Sequence, residues 1–297
     1  MQDELDKFLK ERYPNNYWSG ERDCNLLIWG AEGTVPKLCS LNYGIEYDPF
    51  TGKVDGKTIS DILNEEYKTK QAFKRLISYG KSLSQKCGIP FAVIVYPALR
   101  RQYEDRWEDT EEIFARDRVA FYWYKLSGSA GECISGEILK TRIYSLFGKN
   151  YTDAGTTKQE NSHLSDYFHY WSRMSLSKSI TKLDVDGIIV NDSGDKGILI
   201  EIKRSSRPPI PQWTPYLSDR SNYALEAKYS RAVEAYFWLL HHESRQCHDK
   251  EVISFYDISG VDEEKEEDFL LTKDTILEYS LTGADSLDVR IEQFIRR

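Results

Sequence analysis

The chain has 297 residues, 40% apolar, 13% aromatic and 30% charged, enough to bury one or two cores. Its 40 Lys and Arg stand against 48 Asp and Glu, and the net charge of −8 argues against a protein that coats nucleic acid along its whole surface, so a polyanionic partner must meet a local basic face. No apolar run approaches the ~18 residues of a membrane helix, and Met1 to Lys10 is too charged for a secretory leader, so the expectation is a soluble, cytoplasmic protein with no membrane partner.

In chain order, Ile59 to about Leu83 has apolar residues at helical spacing, and Gly88-Ile89-Pro90 breaks it before the β-branched run Phe91 to Tyr96. Val119 to Tyr124 reads as another strand. Residues 1–130 thus form a mixed α/β region that recognises a substrate or supports the fold, and residues 131–297 form a second block with an acidic C-terminal extension. Ile138 to Phe147 and Leu164 to Trp171 read as helices around the polar loop Lys149 to Ser162. Leu183 to Val190 and Gly197 to Arg204 are strand-like runs separated by Asn191-Asp192-Ser193-Gly194-Asp195-Lys196, a cluster of turn formers that predicts a hairpin. After a Pro-rich loop, Pro208 to Pro215, Ser221 can cap a long helix whose apolar stripe is Leu225, Tyr229, Ala232, Tyr236 and Leu239. Val252 to Ile258 reads as a strand, and Asp262 to Asp268 as a solvated acidic run.

Several motifs lead nowhere. The five cysteines, Cys24, Cys39, Cys87, Cys133 and Cys247, are odd in number and lack a C-x-x-C pair, which fits a reducing compartment without a disulfide framework or four-thiolate zinc site. Gly80-Lys81-Ser82 has Arg75 where a phosphate-binding loop needs its first glycine. His241, His242, Cys247 and His248 match no standard zinc spacing and read as a solvated cluster at a helix end. No G-x-S-x-G elbow is present.

The hairpin carries the chemistry. Alternation puts Ile198, Ile200 and Ile202 on one face of the second strand and Leu199, Glu201 and Lys203 on the other. A two-residue turn at Ser193-Gly194 places Asp186 opposite Glu201 and Asp184 opposite Lys203. Opposed carboxylates repel, so the pair costs stability unless a cation sits between them. Mg²⁺, for which Mn²⁺ can stand in, takes one or two carboxylates plus waters and phosphate oxygens, and such a centre hydrolyses phosphodiesters. Lys203 can steer or help deprotonate the attacking water.

Asp186, fourteen intervening residues and then Glu201-Ile202-Lys203 resemble the PD-(D/E)xK nuclease superfamily over roughly residues 132–260. The resemblance implies a restriction-endonuclease-like core, with a central mixed β-sheet flanked by helices, and Mg²⁺-dependent cleavage of DNA. E-x-K also occurs at Glu66-Lys68, Glu226-Lys228 and Glu263-Lys265, but only Glu201 ends an apolar strand beside an acid-bearing partner. Asp184-Val185-Asp186-Gly187 lacks the proline of the pattern. For the upstream acid that many relatives supply, Glu137, Glu160 and Asp166 all qualify; Glu137, at the start of a periodic helix, is favoured as a further metal ligand.

Residues 196–231 carry a local excess of four positive charges. Arg204, Arg207 and Lys228 are candidate phosphate contacts, and Trp213 and Tyr223 candidate sugar or base contacts; for Trp213, core or loop packing is the favoured reading. The expected function is a DNA endonuclease of restriction or other defence type, functioning as a homodimer if the target is palindromic. The alternatives are an RNA nuclease, a repair or recombination nuclease, and a non-catalytic nucleic-acid-binding or assembly protein on the same fold. In that last case Asp186, Glu201 and Lys203 would be ordinary ion-paired strand residues.

Overall fold

The structure, a computed structural model, describes residues 4–20, 23–31, 35–54, 59–98, 117–125, 131–148, 166–204, 213, 215, 220–242, 252–258, 277–280 and 286–297. In chain order the elements are α1 (Glu4–Arg12), β1 (Tyr17–Ser19), β2 (Cys24–Ala31), β3 (Leu38–Ile45), α2 (Ile59–Thr69), α3 (Gln71–Lys86), β4 (Phe91–Pro97), β5 (Ala120–Lys125), β6 (Glu132–Ser135), α4 (Gly136–Phe147), α5 (Tyr167–Ser175), β7 (Ile180–Val185), β8 (Gly187–Val190), β9 (Gly197–Arg204), α6 (Arg220–Val233), β10 (Tyr236–His242), β11 (Val252–Asp257), β12 (Leu277–Ser280) and α7 (Leu287–Ile295). Among the described residues this is an α/β protein with seven helices and two mixed sheets, ordered β1-β8-β9-β10-β11-β12 and β6-β5-β4-β3-β2-β7. None of its described helices is long and apolar enough to cross a membrane.

Two compact units account for the chain: Met1–Gly20, Tyr67–Gly88 and Leu183–Arg297 form one, and Glu21–Glu66 and Ile89–Lys182 the other. This division differs from the boundary at residue 130 read from the sequence. Pairing of β1 with β8, and packing of α1 under the same sheet, draw N-terminal segments into the unit that holds the hairpin.

In the first unit, Ile189, Ile198, Ile200, Trp238, Leu240, Ile253 and Phe255 form one apolar sheet face. Leu5 and Leu9 of α1 and Leu287, Ile291 and Phe294 of α7 bury against it, each helix offering apolar residues at i and i+4 or i+3. The two helices are tied by Arg12, whose Nε and Nη2 donate to Asp288 Oδ1 and Oδ2 at 3.1 and 2.6 Å, and by the Tyr13 hydroxyl on the same carboxylate. Burial works against the Asp288 charge, but these bonds outweigh it and hold its pKa below the usual carboxylate value. In the second unit, Trp29, Phe121, Phe168 and Trp171 form an aromatic core, with Phe121 and Trp171 centroids 4.9 Å apart.

Several expectations are corrected. The helix read over 59–83 is two helices, because Lys70 is extended (φ −110°, ψ 106°). The helix expected from Leu164 begins at Tyr167, capped by the Asp166 side chain; Leu164, the loop 149–162 and the acidic run 262–268 lie outside the described residues. The helix expected to reach Leu239 ends at Val233. Glu234 takes φ 53°, and Tyr236 to His242, rich in aromatic and apolar residues, forms β10, parallel to β9. Helix α6 already starts at Arg220, so Ser221 lies inside it. The strand read over 183–190 breaks at Asp186, with β7 beside β2 in one sheet and β8 beside β9 in the other.

Candidate active site

The β8–β9 ladder pairs Gly187 with Ile200, Ile188 with Leu199, Ile189 with Ile198 and Val190 with Gly197, the register expected from the sequence. The turn is wider than two residues. Asn191 closes it, accepting on Oδ1 from the Asp195 and Lys196 N–H groups at 3.0 and 3.1 Å, and Gly194 supplies the left-handed residue (φ 75°). The ladder stops at Gly187, so the expected hairpin pairs Asp186–Glu201 and Asp184–Lys203 are not part of it: β7, which carries Asp184, joins β2 in the other sheet.

At that stop the Asp186 Oδ2 accepts the N–H of Ile202 at 2.7 Å. A continued hairpin would offer Ile202 a backbone partner near residue 185; where β7 leaves, the carboxylate takes over that acceptor role. Asp186 is thereby fixed beside Glu201, which shares its strand face with Lys203. Lys203 Nζ lies 2.7 Å from Glu201 Oε1, and the two side chains are 26% and 15% exposed. The opposite face, with Ile198 and Ile200, is the apolar core, so the alternation expected for β9 is present.

Asp186 is an exposed residue, yet enough protein surrounds its carboxyl that desolvation, ahead of the charge on Glu201, lifts its pKa well above the ordinary value. The Ile202 N–H and the Lys203 ammonium pull the other way and do not prevail. Directly after it, Gly187 gives Tyr17 room: a Cβ there would sit 2.5 Å from the Tyr17 hydroxyl and 2.6 Å from its ring. Tyr17 is buried, donates to Asp6 Oδ1 at 2.8 Å and stays a neutral phenol, its pKa raised by burial and by the Asp6 charge.

The wall beside Lys203 comes from β10. His241 pairs with Lys203 in parallel register and with Ser254 of β11, so it shares the Lys203 face. Its ring stacks on Trp213, with centroids 4.1 Å and planes 1° apart, and the Tyr256 hydroxyl donates to the Trp213 carbonyl at 2.8 Å. His241 and His242 are therefore buried strand residues, not a solvated helix end; Cys247 and His248 lie outside the described residues. Burial, then the neighbouring His242, pushes the His241 pKa down to about 4 from 6.5. A depressed pKa means the unfolded chain takes the proton first, so stability is retained above about pH 6.5 and declines as pH falls toward about 4. The expected result is that His241→Phe, which keeps the stack, flattens that acid-side decline in melting temperatures recorded across the interval.

Of the other sequence candidates, Arg204 is exposed at the end of β9 and Lys228 is half-buried on α6. Trp213 and Tyr223 are 1% and 4% exposed, so both rings pack inside protein. Arg207 and Glu160 lie outside the described residues. Glu137 stands in the first turn of α4, behind the Ser135 cap. Asp166 caps α5 and accepts from Asn25 Nδ2 at 2.8 Å and the His169 N–H at 2.8 Å. Both acids belong to the second unit, whereas Asp186, Glu201 and Lys203 belong to the first. The sequence reading missed Tyr17, Gly187 and the Trp213–His241 stack. Only the glycine directly after Asp186 carried a local signal, that of a close approach.

No group of three His, Cys, Asp or Glu side chains among the described residues is placed to hold a metal ion. Asp186, whose ionisation is disfavoured by desolvation and by the Glu201 charge beside it, nevertheless suits Mg²⁺, which completes its shell with water and phosphate oxygens. No protein-family model matches the chain, and comparison with curated proteins and with solved structures finds no match.

Proposed function

We propose that the protein is a Mg²⁺-dependent endonuclease that hydrolyses DNA phosphodiester bonds, on a restriction-endonuclease-like core formed by β8, β9, α6 and β10. The observation that carries this reading is the convergence of Asp186, Glu201 and Lys203 at the end of β9, next to a parallel strand reached through a helix. Open α/β sheets place ligands beyond the carboxyl ends of their parallel strands, and this trio stands there.

Asp186 and Glu201 would hold the ion. Bound there, Mg²⁺ would polarise the phosphodiester and lower the pKa of a water molecule. Asp186 stays oriented through the Ile202 N–H, and Glu201 loses a competing charge once Lys203 turns toward the substrate. Lys203 Nζ, as an ammonium, would then donate to the attacking water and steady the hydroxide formed as the water's proton passes to solvent. Restriction or another defence role suits a nuclease with a large accessory unit. A two-fold homodimer would present one such site to each strand of a palindrome.

The test is incubation of the purified protein with mixed-sequence plasmid DNA, with Mg²⁺ or with chelator, and mapping of the ends. The expected result is discrete internal ends with Mg²⁺ and intact DNA with chelator. Progressive shortening from termini would mean an exonuclease, cleavage of RNA alone would move the reading to that substrate, and no metal-dependent product would overturn it.

A further inference from the structure

Helix α3 carries the largest net positive charge of the described helices. Its sixteen residues include Lys74, Arg75, Lys81 and Lys86 and no Asp or Glu, in a protein with 48 acids among 297 residues. The buried side of α3 is accounted for by Phe73, Leu76, Ile77, Tyr79 and Leu83. Two of its cations are also accounted for, because Arg75 pairs with Asp192 at 2.8 Å and Lys86 with Asp195 at 3.0 Å, both acids from the β8–β9 turn. The exposed outward side of the helix carries Gln71, Lys74, Lys81 and Gln85. Lys74 lies 5.9 Å from the Tyr67 ring centroid.

The placement of this row relates it to the site. A Cβ on Gly197 would lie 3.0 Å from the Tyr79 ring, so α3 covers the Gly197 end of the β9 face that also carries Glu201 and Lys203. Four residues at ~3.3 Å each separate Gly197 from Glu201, about 13 Å along the strand. Lys74 and Lys81 are about 10.5 Å apart along the helix, which matches about three phosphates of one DNA strand.

We infer that the solvent face of α3 is a phosphate-backbone contact surface for duplex DNA, lying on the same sheet face as the Asp186–Glu201 pair. The inference rests on the nuclease reading and extends it to where the substrate is gripped. With Asp192 and Asp195 paired to Arg75 and Lys86, Lys74 and Lys81 leave this face net positive on a chain of net charge −8, so it meets a polyanion with less of the repulsion that the overall charge imposes. Lysines contacting phosphate hold the duplex without reading its sequence, so their contribution is uniform across sequences and sensitive to salt.

The experiment compares wild type, Lys74→Gln/Lys81→Gln and a control, Lys7→Gln/Lys53→Gln, which removes the same charge from exposed positions elsewhere. Binding of a mixed-sequence duplex in chelator is followed by anisotropy across a salt series, alongside Mg²⁺-dependent cleavage of plasmid DNA. The α3 variant is expected to bind about tenfold more weakly, with a log–log salt slope shallower by about two, while the control follows wild type. If wild type cuts and binds DNA and both variants behave like it, or lose affinity equally, the α3 surface is refuted and the nuclease reading stands. If wild type neither binds nor cuts DNA, both fall. Lysine-dependent binding to anionic phosphatidylserine vesicles without binding to DNA would also overturn the inference.

Discussion

Asp186→Asn and Glu201→Gln are each expected to reduce Mg²⁺-dependent DNA cleavage about a thousandfold or more, since loss of an outer partner of a metal ligand already costs about 10- to 100-fold. Binding of the duplex in chelator should persist in both, which separates an enzyme from a protein that only binds. Stability should move the opposite way. The raised pKa of Asp186 means that the folded protein holds its proton more tightly than the unfolded chain does. This contribution is therefore fully present below the ordinary carboxylate value of 3.8 and is lost as pH rises through the folded pKa. Asparagine removes that penalty and keeps an acceptor for the Ile202 N–H, so Asp186→Asn is expected to melt higher than wild type at neutral pH in chelator. Added Mg²⁺ should raise the wild-type melting temperature by mass action and leave the variant nearly unmoved. Asp186→Ala, which leaves the Ile202 N–H of this exposed bond to water, should be less stable than Asp186→Asn by about 0.5–1.5 kcal/mol. Equal responses of wild type and Asp186→Asn to Mg²⁺ would sink the assignment of Asp186 as a ligand.

Gly187→Ala is expected to destabilise the first unit by about 1–3 kcal/mol through overpacking and to impair cleavage together with it. The added methyl group meets the ring of Tyr17, which is buried and held by Asp6, so the strand must shift next to Asp186. Tyr17→Leu in the same chain should return part of the stability by opening space. Denaturant melts of the two single variants and the double variant measure the coupling, and purely additive effects would show that the steric contact is not the cause.

The hairpin was legible because β9 is apolar on one face and charged on the other, and because Asn191 to Lys196 can hardly be anything but a turn. Local pattern alone delivered the register that brings Asp186 to Glu201, although Asn191 closes a wider loop than two residues. The break at Asp186 had only the Asp186-Gly187 pair, a turn former inside a run otherwise readable as one strand, to announce it; the assignment of the two halves to different sheets divides the run. Tyr236 and Leu239 continue the helical stripe of Leu225 and Tyr229, so periodicity carried the expected helix into what is β10. The aromatic density of Tyr236-Phe237-Trp238 was the competing signal, and the left-handed Glu234 makes the stop. Tyr17 and Trp213 reach the site through pairing and stacking with residues distant in sequence, which no local pattern encodes.

The interleaving of the two units has a practical corollary for anyone trimming the gene. A clone starting near residue 131 or 183 would retain Asp186, Glu201 and Lys203 but discard α1, β1 and α3. It would leave the outer edge of β8 bare and uncover the apolar surface that Leu5 and Leu9 shield. Such a fragment should go to inclusion bodies, and an excised domain that stays insoluble would therefore say nothing about whether the full chain cuts DNA.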